Sequence, residues 1–400
     1  GGSGGGSRPA GERWARLVTR RPLVTVLATL AGLALLVVPA PQLALALPDN
    51  GSAAPDTPQR QAYDLVSEHF GPGVNGPLVV LLDGLDPAAA LPAAQQVAGA
   101  LGGAPTGTPG EFEGGVDGVA YAAPQVLPDG TAAIVSVVPD SGPQDEATSD
   151  LVAQLRDLAP ELAAQTGADV AVTGQTAVAI DVSDRLRGAL LPFALVVVGL
   201  ALVLLLLVFR SVLVPVKAAA GFLLSVGASF GAVVAVFQWG WLADLFGVPT
   251  TGPVISFLPI ILIAVLFGLA MDYEVFLVSR MREEYVHGAA PRAAVLLGAR
   301  HGSRVVVAAA LIMFSVFASF VAIDDVIVKA IAFGLAVGIV VDAFVVRMTL
   351  VPAVLALLGR SAWWLPRWLD RIVPDLDVEG ARLGPVPPVA VERELQPSAR

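Results

Sequence analysis

Long uncharged stretches alternate with one polar segment along this chain, and the pattern predicts a protein solvated largely by lipid. Six apolar runs, each at least about 18 residues and so long enough to cross the hydrocarbon core as a helix, fall at residues 23–47, 190–209, 212–239, 254–278, 305–323 and 330–358. Between the first two runs the periodicity changes. Residues 57–70 have helical spacing with Tyr63, Val66 and Phe70 on one face, 77–83 (PLVVLLD) form a continuous apolar strand, and 88–101 form an Ala-rich helix. Residues 118–125 and 132–139 are predicted strands joined by a turn at Pro128-Asp129-Gly130. A helix at 145–166 and a short strand at 169–173 complete the order βαββαβ. That order predicts an antiparallel sheet with two helices on one face, the split-βαβ or ferredoxin-like plan.

The fold class expected is therefore an α-helical polytopic membrane protein with an extracytoplasmic α+β domain. Residues 1–21 read as a flexible linker and a basic cytoplasmic segment, 22–47 as the first membrane helix and 48–185 as the α+β domain. Residues 186–358 hold membrane helices two to six, 359–379 an interfacial helix and 380–400 a Pro-rich disordered tail. Within 363–372, Trp and Leu alternate with Arg as in a helix anchored on the cytoplasmic surface. Residues 102–115, rich in Gly, Pro and Thr, read as a loop. The opening GGSGGGS is linker-like, so the chain is expected to continue something longer.

Composition supports the lipid environment: 55% of residues are hydrophobic and 14% charged, against the roughly one quarter charged usual in soluble domains. Charge then sets orientation. Arg8, Arg13, Arg16, Arg20 and Arg21 precede the first run; Arg210 and Lys217 flank the turn between the second and third. Arg280, Arg282, Arg292, Arg300 and Arg304 lie between the fourth and fifth, and Arg360, Arg367 and Arg371 follow the sixth. If the runs alternate, all of these share one side, which the positive-inside rule makes cytoplasmic. Trp14, Trp363, Trp364 and Trp368 fall at the same boundary, with Trp239 and Trp241 at the outer one, as indole rings prefer.

The net charge of −10 sits mostly in the outward segment and excludes nucleic acid as a partner. With no Cys, and with His69, His287 and His301 scattered, no metal or other cofactor is expected. Arg20-Arg21 and Ala44-Leu45-Ala46 resemble export and cleavage signals. The first run is longer than a signal core and Pro22 follows the Arg pair, so it is expected to remain as a span.

Ionisable groups within spans cost about 2.5–3.5 kcal/mol each even on lenient scales, so each needs a reason. Here they are Asp272 and Glu274, separated by Tyr273, in the fourth run, and Asp342 and Arg347 in the sixth. Asp272 precedes Arg280 by eight residues, about 12 Å along a helix, well inside the hydrocarbon. A carboxyl there can have neutral and charged forms of similar energy and so can carry a proton. Tyr273 points about 100° away from Asp272, which suggests an acid on a neighbouring helix as its partner. Ala264, Gly268 and Ala270 before Asp272, and Gly334 and Gly338 before Asp342, are small enough for close helix approach, static or sliding. Asp342 and Arg347, five apart, lie about 140° around an α-helix and so are expected to find partners elsewhere, with Asp272 or Glu274 for Arg347. A static buried network is the bland alternative for all these charges.

The run FGLAMDYEVFLVSRMREEY at 267–285 resembles the Asp-Tyr signature of MMPL (mycobacterial membrane protein large) transporters in the resistance-nodulation-division (RND) superfamily. LPDNGS at 47–52, AYDLVSEHFGPGVNGPLVVLLD at 62–83, VTGQTA at 172–177 and FGLAVGIVVDAFVVRMTLVPA at 333–353 are similar to the same family. The resemblance implies a transporter of two repeated halves, each with one helix, an extracytoplasmic porter domain and five helices, of which this chain matches the second. It implies that Asp272 and Tyr273 are one of two Asp-Tyr pairs in a proton relay, to which we add Asp342. Arg347 and Glu274 would be the supporting ion pair, and Phe276 with Gly268 would line the adjoining pocket. A second Asp-Tyr pair is missing here, so the expected partners include the N-terminal half or a second copy, along with protons and the membrane. The expected function is proton-driven export of a lipid or other hydrophobic molecule across a bacterial plasma membrane, without enzymatic activity. A sterol-sensing-like scaffold is the alternative; an intramembrane aspartyl protease lacks its Gly-x-Gly-Asp motif, since Gly268-Leu-Ala-Met precedes Asp272.

Overall fold

A computed structural model describes residues 10–105 and 112–371, so the Gly-Ser opening, the middle of the 102–115 loop and the expected disordered tail at 380–400 lie outside the described residues. Helix α1 (Ala10–Arg20) buries Glu12, Ala15, Val18 and Thr19 and leaves its Arg face exposed. Pro22 opens α2 (Pro22–Val37), where its missing N–H costs nothing. The prolines at 39 and 41 then end the regular helix, and the chain leaves through β1 (Leu45–Ala46).

Outside the helical bundle, Thr57 caps α3 (Pro58–Phe70), its hydroxyl accepting from the Arg60 N–H. There follow β2 (Leu78–Asp83), α4 (Ala90–Gly102), the small pair β3 (Ala104–Pro105) and β4 (Phe112–Glu113), then β5 (Val119–Val126), β6 (Ala133–Pro139), α5 (Glu146–Thr166) and β7 (Asp169–Thr173). The main sheet runs β5-β6-β2-β7 with every neighbouring pair antiparallel. Its period-two pattern buries Leu78, Val80 and Leu82 together with Val135 and Val137. Ala94, Val97 and Leu101 of α4 and Leu151, Val152 and Leu155 of α5 close over them as one core.

Tyr63 on α3 illustrates how the domain packs onto the exit from α2. Burial, then the nearby Asp49 and Asp145 carboxylates, push its phenol from about 10 up to about 12. A raised folded-state value means that stability is fully present below the ordinary phenol range and is lost as pH rises through about 12. Thermal unfolding followed from pH 8 to 12 should show an alkaline loss that is smaller in Tyr63→Phe; equal losses in both proteins would show that Tyr63 is not its source.

The second span departs from expectation. Helix α6 (Gln175–Phe209) begins well before the apolar run, inside the region read as the α+β domain, and continues unbroken into the bundle. Arg156 of α5 grips Asp181 on α6 with two hydrogen bonds of 2.6 and 2.8 Å. Among the described residues, the four spans that follow the turn at Arg210 begin with α7 (Leu213–Val233), which continues as a π-helix over Val234–Gln238. After the short α8 (Ala243–Phe246), β8 (Val254–Ile255) pairs in parallel with β1, and Ser256 exchanges a 2.7 Å hydrogen bond with Ser183 of α6. Then come α9 (Leu258–Val286), α10 (Pro291–Phe320) and α11 (Val326–Val340). A π-helical stretch over Val341–Leu350 joins α11 to α12 (Val351–Leu358). Among the described residues, six helical spans are long and apolar enough to cross a membrane, and the protein is a multi-pass membrane protein.

Helix α7 and the α11–α12 span form the centre of the bundle, and small residues set how closely neighbours approach. A Cβ on Gly231 would lie 1.8 Å from the Leu36 carbonyl oxygen, so only glycine lets α7 meet α2 there. Cβ atoms on Gly334 and Gly338 would meet Leu262 and Leu266 of α9 at 2.7 and 2.6 Å, whereas one on Gly268 would meet nothing within 4 Å. The expected interfacial helix is, where described, a single turn, α13 (Arg367–Asp370), because Pro366 separates it from the 3-10 turn Gly359–Trp363.

Candidate functional site

Four charged side chains from three spans meet inside the bundle as a ladder. Lys217 of α7 donates to Glu274 Oε1 of α9 at 2.5 Å. Glu274 Oε2 accepts from Arg347 on the π-helical stretch, and Arg347 Nε donates to Asp342 Oδ2 at 2.9 Å. Ser225 of α7 adds a longer 3.4 Å hydrogen bond to Asp342 Oδ1. The side chains of Glu274 and Arg347 are 1% exposed, those at the two ends 9% (Lys217) and 6% (Asp342). Signs alternate along the ladder and sum to zero, which is what allows four ionised groups to share a low-dielectric interior.

Two expectations need correction. Asp342 and Arg347 do pair with each other, because the backbone over Val341–Leu350 is π-helical rather than α-helical. With i to i+5 bonding, residues five apart sit nearly one above the other instead of about 140° apart. Of the two partners expected for Arg347, Glu274 is the one it meets; Asp272 is not. Lys217, counted as a turn residue that sets orientation, lies in the fifth position of α7 with its ammonium turned into the bundle. A lysine more than one turn inside an apolar run was the signal that could have marked it.

Asp272 and Tyr273 diverge as adjacent helix residues must. Tyr273 is 9% exposed and its buried hydroxyl has no hydrogen-bond partner among the described residues, although it feels the charges of Asp342, Arg347 and Asp272. Asp272 points the other way and is exposed, on a stripe of α9 shared with Ala264, Gly268 and Phe276. Phe276 is 37% exposed. The structure thus brings Glu274, Asp342 and Arg347 together, adds Lys217, places Tyr273 at their edge and leaves Asp272, Gly268 and Phe276 on an open helix face. No pair of facing carboxyls of the kind an intramembrane aspartyl protease needs is formed by Asp272 and Asp342: one is held by Arg347, the other faces out of the bundle. What the arrangement does is hold four alternating charges as a neutral set inside the bundle, with the Tyr273 hydroxyl at its edge.

A profile of the MMPL family matches residues 53–374. Membrane protein YdfJ of Bacillus subtilis is 45% identical over 386 residues, covering 96% of this chain and 50% of the relative. The heme uptake protein MmpL11 of Mycobacterium tuberculosis is 37% identical over 371 residues, covering 92% of this chain and 37% of the relative. The mycolic acid-containing lipids exporter MmpL11 of Mycolicibacterium smegmatis is 36% identical over 369 residues, covering 92% and 38%. The chain spans about half the length, or less, of the curated relatives it matches. With the profile covering most of the residues and a relative 45% identical along almost the whole chain, the chain belongs to the MMPL family.

Proposed function

We propose that this chain forms one half of a proton-driven exporter of lipids or other hydrophobic molecules, in which Asp272 and Tyr273, backed by Asp342, carry the proton. The observation that supports it most is the direction of Asp272. An acid deep in a span yet exposed on its helix face is costly against lipid and acceptable only where another helical unit or a water-filled cavity covers it. The complementary unit is the other half of the transporter or a second copy, consistent with the coverage of the relatives. At that junction the carboxyl can exchange protons with alternate sides, while the ladder behind Tyr273 senses its charge. One charge crossing a membrane potential yields about 2.3 kcal/mol per 100 mV, so one or two protons can drive a conformational cycle.

The α+β domain acts as a ferredoxin-like porter outside the plasma membrane, with both termini cytoplasmic. Its sheet order and the run of α6 from β7 into the bundle support a coupling between porter and helices. Lipid as substrate follows the relative named as a lipids exporter, and the relative named for heme uptake leaves hydrophobic cargo as the shared class. A pH gradient across liposomes holding the complete transporter should drive proton flux that lipid substrate stimulates; wild-type liposomes that stay proton-tight would rule this function out.

Orientation has its own test, made simple by the absence of Cys. A Cys introduced at Ser141 should react with an impermeant thiol reagent added outside cells, and one at Ala289 should react only after permeabilisation. Reversed labelling would invert the topology and with it the direction of transport.

A further inference from the structure

Helix α1 leads into the first span and packs against α2, α10 and α12. Its inward face, Glu12, Ala15, Val18 and Thr19, is buried on the bundle. The rest of its circumference is exposed, and it is sorted by chemistry. At about 100° per residue, Arg13, Arg16 and Arg20 fall within one arc of about 60°, and Leu17 and Trp14 share the next arc of about the same width. Trp14 is 44% and Leu17 61% exposed, and the Trp14 indole N–H donates to Thr349 Oγ1 at 3.2 Å. A helix with one face on protein and the remainder split between an apolar and a cationic strip suits the headgroup layer, where tryptophan and arginine both find their preferred surroundings.

The start of α1 meets α10 at Gly11, where a Cβ would lie 1.9 Å from Ser303 Oγ and 2.7 Å from its Cβ, so the missing side chain sets the approach. Arg13 and Arg16 on one helix, and Arg300 and Arg304 on the other, lie within about 8 Å of that contact along their helix axes. Among the described residues one carboxylate serves them: Glu12 bonds Arg16 at 2.8 Å and approaches Arg300 at 4.0 Å. Arg13 and Arg304 are exposed and have no ion pair among the described residues. Four guanidiniums against one carboxylate leave an excess of positive charge at the level where the fifth span begins. We infer that this corner binds an anionic phospholipid, its phosphate held between α1 and α10 by Arg13 and Arg304. The leaflet is the one on the arginine-rich side, cytoplasmic in the orientation proposed above. The acyl chains would lie along Ala308 and Leu311, which are exposed one and two turns beyond Arg304 on the same face of α10. Guanidinium suits a phosphate diester because its planar donors bond two oxygens at once, and each arginine beside an anionic lipid surface strengthens binding about fivefold. Neither arginine belongs to the buried ladder, so this inference stands apart from the proton-coupled function.

Two double variants of equal charge, made in the complete transporter, separate a site from general surface charge. Arg13→Gln with Arg304→Gln removes the two unpaired cations of the corner. Arg367→Gln with Arg371→Gln removes two from the segment that Arg210 holds through Asp370. All four side chains are exposed, so both variants should unfold at the wild-type temperature in phosphatidylcholine alone. Each protein is reconstituted into phosphatidylcholine vesicles holding about one part in five of phosphatidylglycerol and re-extracted in mild detergent, and the lipid that stays with it is measured by mass spectrometry. Wild type should retain phosphatidylglycerol in preference to phosphatidylcholine. That preference should fall about 25-fold in the first variant and hold in the second. Equal losses in the two would reduce the effect to diffuse surface charge, and no loss in either would leave the corner without a lipid; both results overturn the inference. Inorganic phosphate that displaces the retained phosphatidylglycerol would show a free-anion site and overturn it as well.

Discussion

Arg347→Met should destabilise the bundle by about 3–5 kcal/mol, enough to abolish its accumulation in the membrane. The guanidinium is 1% exposed and serves Glu274 and Asp342 at once. Without it, Lys217 still neutralises Glu274, but Asp342 keeps only the 3.4 Å hydrogen bond from Ser225. A carboxylate left that way inside the bundle must protonate or drag in water. Arg347→Lys should be only a partial remedy, since one ammonium cannot reproduce a planar fork that reaches two carboxylates. Pairing Arg347→Met with Asp342→Asn should restore most of the stability, because the remaining Lys217–Glu274 pair is neutral. Accumulation in the membrane, with thermal unfolding in detergent of the variants that accumulate, measures all three. An Arg347→Met protein as stable as the wild type would show that the ladder does not hold the bundle together.

The spans and the sheet were legible in the sequence because each leaves a local mark: long uncharged runs for the first, and for the second a short continuous apolar run at Leu78–Asp83 and a Pro-Asp-Gly turn before Ala133–Pro139. The start of α6 was not. Asp181, Asp184, Arg185 and Arg187 are solvated on that helix outside the bundle, so its first turns carry no apolar run to announce that it is continuous with a span. The π-helical stretch was equally hidden, since apolar residues surround Asp342 and Arg347 on all sides and give no period from which i to i+5 bonding could be read. That is why their pairing was missed. Lys217 did carry a mark, its place more than one turn inside an apolar run, but the direction in which its ammonium turns is set by packing against α9. For Asp272 the chain gave depth but not direction. Helix α9 is apolar around its circumference, so only the packing of Leu262, Leu266 and Leu277 into the core shows that the Asp272 face is open.

That open face makes Asp272→Asn the most informative substitution. Asp272 has no hydrogen bond or ion pair among the described residues, and the ladder is neutral without it. Asn matches its size and most of its hydrogen-bonding capacity, so folding and insertion should be near normal. It cannot change charge, however, and a relay that depends on this carboxyl should lose about 100-fold or more in export. A residue with a static role behaves otherwise: its loss lowers stability and leaves transport in proportion to the protein that survives. Export and thermal stability should therefore be measured on the same Asp272→Asn preparation of the complete transporter. Proton-coupled transport through Asp272 predicts lost export at near wild-type stability; export that persists, whatever the stability, would contradict it.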